Sequence, residues 1–591
     1  MTKTIIINTF SSFPTFPGFN TAYLKGLLTR AGKENRHIDI NQLVWNRMLE
    51  IDYLSQLRFN EDRIKESPFP YSIIHTSKEF DILKDKVLVR IEQAKDTLRT
   101  KKQINIRELS WCQKVIFRAL NLIYCHYGTF FMTNIPFWAK MGFDHTDLCL
   151  IYEIANDKER NPLIKIFEDW VIPEIVSYNP NLVIVDIMFP WDIIPALTLN
   201  LLIRKSLPNC HINYGGQGFD EFSFSRIKHK LLSNPKYLFG FDSIFLYRND
   251  NGILELLSDI ESNKKNHSVD NLFTEKSKLV FINSDFLFDE TIIPNYDDID
   301  WEKYFIPERI VTDRLSYRCF WAKCSFCSIN SNKVRKQISH LSLQVEKIKT
   351  LVTKYNINNF WFLDEACPIK FATIFANEIK SLGITWSLRT RVDKEISKEN
   401  LKKLNEAGLK ELWLGLEHVD STILSLMNKS DFNQDYKIIG KQIFEAATQN
   451  NIGLHFCHIL GFPSETEEQR LKVLDFYLSL KSSLKRKPFF ATFNIFGLMF
   501  DSEMYRQPDR FGITAIIDSD DKFNMIKVPY RTKYEDDTDN ANVKVRLFEW
   551  INKYTASVVT HQSLLPLWIS IADTPYEFIL KKQFSYNPFY L

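Results

Sequence analysis

The stretch Tyr317-Arg318-Cys319-Phe320-Trp321-Ala322-Lys323-Cys324-Ser325-Phe326-Cys327 sets three thiols within nine residues. Thiolates this close can converge on one metal centre, and sulfur donors suit zinc or an iron–sulfur cluster. A structural zinc site normally takes a fourth ligand. The nearest downstream candidates, His340 and Cys367, stand outside finger-like spacing. Three protein donors with one position vacant is what a catalytic cluster needs, because its fourth iron must stay open to a cofactor or substrate. The cluster is therefore the leading reading of Cys319, Cys324 and Cys327, with zinc and a chance grouping of cysteines as the alternatives.

Elements that would position such a centre surround it. From Arg309 onward, strand patterns at Ile310–Tyr317, Asn359–Leu363, Ile384–Thr390, Glu411–Leu416, Ile452–Leu460 and Phe489–Leu498 alternate with helical ones. In the helix Leu341–Tyr355, Leu341, Val345, Ile348, Val352 and Tyr355 recur at steps of four and three. Ala372–Leu382, Ser397–Ala407 and Glu467–Leu480 are further helices. Six βα repeats with right-handed crossovers imply a curved parallel sheet wrapped by helices. Polar residues stand at successive strand ends: Asp364 and Glu365, then Arg389 and Arg391, then Glu417, then the turn Gly461-Phe462-Pro463-Ser464-Glu465-Thr466. Taken singly, such a carboxylate is ordinarily a helix cap and such an arginine a surface ion pair. Their serial order along one barrel face makes them site candidates.

These features resemble the radical S-adenosylmethionine (SAM) superfamily. Cys324-Ser325-Phe326-Cys327 matches the second half of its C-x3-C-x-aromatic-C loop, while four residues rather than three separate Cys319 from Cys324. The resemblance implies a partial (β/α)6 TIM-like barrel and a 4Fe–4S cluster whose open iron takes the amino and carboxylate groups of SAM. Reductive cleavage then yields methionine and a 5′-deoxyadenosyl radical that abstracts a substrate hydrogen. It also implies that Phe326 lies beside the adenine and that Asp364 and Glu365 face the amino end of SAM. Arg389 or Arg391 would pair with its carboxylate, and Glu417, in a G-x-E form, would lie near the ribose.

The N-terminal half is also α/β. Thr4–Asn8 reads as a strand, Thr21–Ala31 as a helix and His37–Asp39 as a strand. The pattern returns with strands at Asn181–Ile187, His211–Tyr214 and Ser243–Tyr247 and a helix over Ile193–Ser206. Between these parts, Asp81–Leu98, Ile106–Tyr127 and Pro162–Ser177 read as helices. The boundaries are a doubly wound domain over 1–63 and 176–262, a helical insertion over 64–175, and a connector over 263–300 with an apolar strand at Leu279–Asn283. The barrel takes 301–500 and a mixed tail 501–591, with a solvated acidic cluster at Glu535-Asp536-Asp537. Pro180–Val185, Asn213-Tyr214-Gly215-Gly216 and Phe241-Asp242-Ser243-Ile244 resemble the cobalamin-binding, Rossmann-like domain of the cobalamin-dependent radical SAM class. That implies cobalamin at Gly215 and Gly216 and methyl transfer to an unreactive carbon of a peptide or other natural product. The D-x-H-x-x-G motif whose histidine ligates cobalt is absent, which leaves cobalamin-independent cyclisation, rearrangement or desaturation as the alternative. A tRNA methylthiotransferase, lacking a second cysteine triad, and a non-catalytic metal-binding protein rank lower.

Composition sets limits. The 591 residues carry 75 basic and 72 acidic side chains, a net charge of +3 with no basic excess for nucleic acid. Aromatics at 14%, 47 of them Phe, against only 18 Gly favour thick cores and apolar pockets. No run of about 18 apolar residues predicts a membrane span, and the amino terminus reads as a strand rather than a signal peptide. Cys112, Cys125, Cys149, Cys210, Cys367 and Cys457 are isolated and read as buried small hydrophobes in a reducing, cytoplasmic protein. An external flavodoxin- or ferredoxin-type electron donor completes the expected partners.

Overall fold

The computed structural model describes residues 2–10, 13–66, 74–128, 147–188, 192–216, 240–245, 249–264, 267, 269–274, 289–328, 337–429, 435–480, 489–517, 527–533 and 558–560. Contacts divide the chain into two compact units, one formed by 1–101, 111–307 and 519–525, the other by 102–110, 308–518 and 526–591. The expected strand Leu279–Asn283 and the acidic cluster at 535–537 lie outside the described residues.

The first unit is organised by a sheet of β1 (Thr4–Asn8), β2 (Asn35–Asp39), β3 (Leu182–Asp186), β4 (His211–Gly215), β5 (Ser243–Phe245) and β6 (Leu272–Thr274) in the order β2-β1-β3-β4-β5-β6. The first five strands pair in parallel, and β6 runs antiparallel to β5. Ile5–Ile7, Val183 and Val185 are wholly buried, as a parallel sheet covered on both faces requires. Ile6 and Ile184 share a core with Leu28 of helix Phe19–Arg30 and with Leu256 and Leu257 of helix Asp250–Glu261. Helix Ile193–Ser206 is buried through most of its length and packs on helix Ile172–Tyr178. Strand order reverses between β1 and β3, the signature of a doubly wound sheet.

Two helical expectations change in detail. Asp81–Leu98 is two helices, Ser77–Leu88 and Ile91–Thr100, parted at Val89, which is 80% exposed and gives the chain no apolar anchor at the break. Pro162–Ser177 is interrupted by a π turn over Phe167–Val171. Pro173 lacks an N–H for the regular ladder, and the wider turn accommodates that loss.

The second unit holds β7 (Ile310–Asp313), β8 (Asn359–Phe362), β9 (Thr385–Arg391), β10 (Leu409–Glu417), β11 (Gly453–Leu460) and β12 (Phe489–Ile495). All pair in parallel and in sequence order. Sequential order with crossovers of one hand keeps the helices on one face, as in a barrel wall. On that face Phe362 meets Phe375 of helix Ile369–Ile379, Phe456 meets Phe476 of helix Glu467–Leu480, and His458 bonds Tyr477. The alternate residues Trp361, Ser387, Arg389, Glu411, Trp413, His455 and Cys457 make the opposite face. Among the described residues no helix is long and apolar enough to cross a membrane.

Candidate active site

Strand β7 ends at Asp313, whose buried carboxylate accepts from Lys347 and Gln344 and ties the strand to helix Leu341–Tyr355. The chain then forms a short antiparallel ladder, Ser316–Tyr317 with Gln337–Ile338, and the cysteine loop leaves from its end. Asp364, fully buried after β8, fastens this departure point. It accepts from the Leu315 and Ser316 N–H groups and, at 2.6 Å, from the Ser316 hydroxyl. Burial pushes its carboxyl up to about 7 against these donors.

The loop is held on its far side as well. Ser325 N–H donates to the Met427 carbonyl at 2.9 Å, Ser325 Oγ to Leu426 O at 2.8 Å, and Trp321 Nε1 to Asn428 O at 2.8 Å. Met504 N–H donates to Ser325 O at 3.1 Å. Phe326 packs against an apolar cluster that includes Met427, Phe462, Phe496 and Met504. Arg318 and Ala322 adopt left-handed φ values of 67° and 49°, which turn the loop sharply around its cysteines.

Cys324 is buried, and Cys319 and Cys327 are half-buried. Burial pushes the Cys324 thiol up to about 12; Lys429 opposes that rise, while Cys327 and Cys319 are close enough to add to it. Among the described residues no three His, Cys, Asp or Glu side chains converge tightly enough for a single metal ion.

The other candidates take distinct positions. Arg391 donates to the Lys429 carbonyl and lies 3.9 Å over the Trp321 ring; it braces the cysteine loop. Arg389 lies between Trp361 and Trp413, 5.2 and 4.8 Å from their ring centroids. Its Nε has no hydrogen-bond partner, and burial lowers its pKa. Glu365 Oε1 accepts from Arg314 at 3.2 Å, and its Oε2 is buried without a partner. Glu417 has φ 58° at a register shift in β10 and pairs with Lys429 at 2.9 Å. Glu465 accepts from the Gly461 and Phe462 N–H groups, closing the turn after β11. Its Oε1 lies 3.0 Å from His418 Nε2. His418 Nδ1 accepts from Asp420 N–H, so Nε2 carries the ring proton.

In the first unit, Thr9 Oγ1 donates to Asp186 O and Asn20 Nδ2 to Asp186 Oδ1, drawing the carboxyl ends of β1 and β3 together. Gly216, at φ 107°, has no room for a side chain, since a Cβ would stand 2.3 Å from Ile187 O. Gly215 is open, its nearest Cβ neighbour being Phe245 at 4.0 Å. The crevice beyond these strand ends is where doubly wound sheets take ligands.

No family model and no curated protein matches the sequence. Solved structures do match over most of the chain. The radical SAM methyltransferase TsrM from Kitasatospora setae, with cobalamin and a 4Fe–4S cluster bound, aligns with a TM-score of 0.51 at 12% identity, over 86% of this chain and 74% of that one. OxsB, a cobalamin-dependent SAM radical enzyme solved with aqua-cobalamin and SAM, aligns at 0.56 and 11% identity, over 93% of this chain and 67% of that one. The chain is similar in fold to these cobalamin-dependent radical SAM enzymes.

Some neighbours of the candidate site escaped the sequence reading. Lys429 follows a short helix, Ser421–Leu426, and no motif marks it. Cys457, read as a buried hydrophobe, is half-buried on the same sheet face as Arg389 and Trp413, with burial pushing its thiol up to about 12. Alternation in His455-Phe456-Cys457-His458 was the available signal, since it puts His455 and Cys457 on one face. Cys149 is exposed rather than buried, because its helix, Leu148–Asn156, turns that position outward.

Proposed function

We propose that the chain is a radical SAM enzyme that holds a 4Fe–4S cluster on Cys319, Cys324 and Cys327. The observation carrying this reading is the three-thiol loop, fastened at both ends, directly after the first strand of a sequentially ordered parallel sheet. When bound, the cluster supplies the electron that cleaves SAM into methionine and a 5′-deoxyadenosyl radical. The protein's task is then to bind, orient and exclude water. Arg389 is the cation best suited to the SAM carboxylate, since its guanidinium faces the sheet interior without a carboxylate partner. Glu365 and Glu417 are the polar groups for the amino and ribose ends, and Phe326 lines the adenine side. Asp364 and Arg391 act indirectly by holding the loop.

The finer reading is cobalamin-dependent C-methylation of a peptide or other natural product. When bound at the carboxyl ends of β1, β3 and β4, cobalamin would supply the methyl group. Gly215 leaves open space there, whereas Gly216 serves the fold. A second reading, cyclisation, rearrangement or desaturation without cobalamin, is favoured by the missing cobalt-ligand motif. His211 does not replace it, because it opens β4 at the amino edge and lies 2.8 Å from Ser243 Oγ. The proposed setting is cytoplasmic, with a flavodoxin- or ferredoxin-type donor. Anaerobic reconstitution with iron, sulfide and cobalamin tests both readings. Four irons per chain and 5′-deoxyadenosine released from SAM support the enzyme, and a colourless protein inert towards SAM sinks it. Cobalamin binding near one per chain supports methylation, and binding below about 0.1 removes it.

A further inference from the structure

Lys429 is a buried lysine beside the cysteine loop. Its ammonium pairs with Glu417 Oε1 at 2.9 Å, with both side chains nearly enclosed. Its backbone carbonyl accepts from Arg391, and the residues just before it, Leu426, Met427 and Asn428, accept three hydrogen bonds from the cysteine loop. The ion pair sits in space vacated by Gly415, where a Cβ would lie 2.5 Å from Glu417 Oε1 and 2.9 Å from Lys429 Nζ. A buried cation therefore stands at the segment that holds the cysteine loop, with Glu417 as its counter-ion.

We propose that Lys429 is a positioning residue that sets the reduction potential of the cluster held by Cys319, Cys324 and Cys327. The inference rests on the cluster reading above. One-electron reduction adds a negative charge to the cluster, and net charge and local polarity are among the main determinants of such potentials. A neighbouring ammonium stabilises the reduced form and makes it accessible to a low-potential donor. Glu417 moderates the effect, and the absence of a side chain at Gly415 keeps both charges in place.

The test is an EPR-monitored redox titration of the reconstituted full chain at fixed pH, with iron and sulfide counted in each sample. Lys429→Met is expected to keep its cluster and to become about tenfold harder to reduce, a shift of about 59 mV to more negative potential. Lys429→Arg should restore the wild-type value, because it keeps the charge. Glu417→Gln should move the midpoint the opposite way by exposing the lysine charge. A fully loaded Lys429→Met with an unmoved midpoint overturns the proposal. If that variant fails to load, an unmoved midpoint in Glu417→Gln overturns it as well. A wild-type chain that binds no iron–sulfur cluster overturns the underlying reading, and iron counting separates that failure from an unshifted potential.

Discussion

At the scale of single residues, the three cysteines were legible because their chemistry is local: donor type and spacing are written in eleven consecutive positions, 317–327. Replacing Cys324 with Ala is expected to remove most of the bound iron after reconstitution, read by iron and sulfide analysis, because two remaining thiols cannot hold three irons of a cluster. Retention of four irons would show that the loop is not the cluster site. The individual roles of Asp364 and Arg391 were not legible, since both stand at strand ends like Arg389 and only their hydrogen bonds separate brace from binder. Asp364→Ala leaves the buried Leu315 and Ser316 N–H groups without an acceptor, at a cost of roughly 2–5 kcal/mol in chemical denaturation. Buried histidines add a pH response. Burial holds His455 and His458 down to about 3, whereas the unfolded chain titrates near 6.5. The unfolded state therefore binds more protons, and stability falls as pH drops from about 6.5 towards 3, by up to about 1.4 kcal/mol per pH unit for each histidine. Urea midpoints at pH 7.5 and 5.5 should differ less in His458→Gln than in the wild type; an equal difference would refute the assignment.

At the scale of elements, hydrophobic periodicity located most strands of both sheets, and Thr4–Asn8 and Ile106–Tyr127 are found with the expected bounds. It failed where a break interrupts an otherwise helical pattern: at the exposed Val89, which anchors nothing, and at the π turn ahead of Pro173, whose missing N–H is a matter of backbone chemistry. Two glycines show the same dependence on three dimensions. Gly216→Ala combines a left-handed backbone with a Cβ 2.3 Å from Ile187 O, and should lower stability by at least about 1–3 kcal/mol, as measured by thermal or urea unfolding. Gly415→Ala should instead leave the sheet formed while displacing the Glu417–Lys429 pair. The predicted result is a folded protein by circular dichroism with a shifted cluster EPR spectrum. An unchanged spectrum would place the pair outside the cluster's electrostatic reach.

At the scale of the whole molecule, each unit carries a sheet of wholly or mainly parallel strands with its own logic. In one the strand order reverses between β1 and β3; in the other the order is sequential, and polar side chains collect on the face away from the helices. The fold likeness to TsrM and OxsB extends over both units, although only 12% and 11% of aligned residues are identical. Such distance is expected when a fold is kept by apolar patterning, which many sequences satisfy, while function rests on a few sites. A loop of three closely spaced thiols, an α/β chain with two sheets, and a series of polar groups at strand ends followed from the sequence alone, because residue type, spacing and periodicity are local properties. Which polar groups face an open interior and which hold the cysteine loop was decided by tertiary structure. So was the position of Lys429 at the cysteine loop, since Asn428 and Trp321, 107 positions apart in the chain, bond only when β10 and its following helix are packed against the loop.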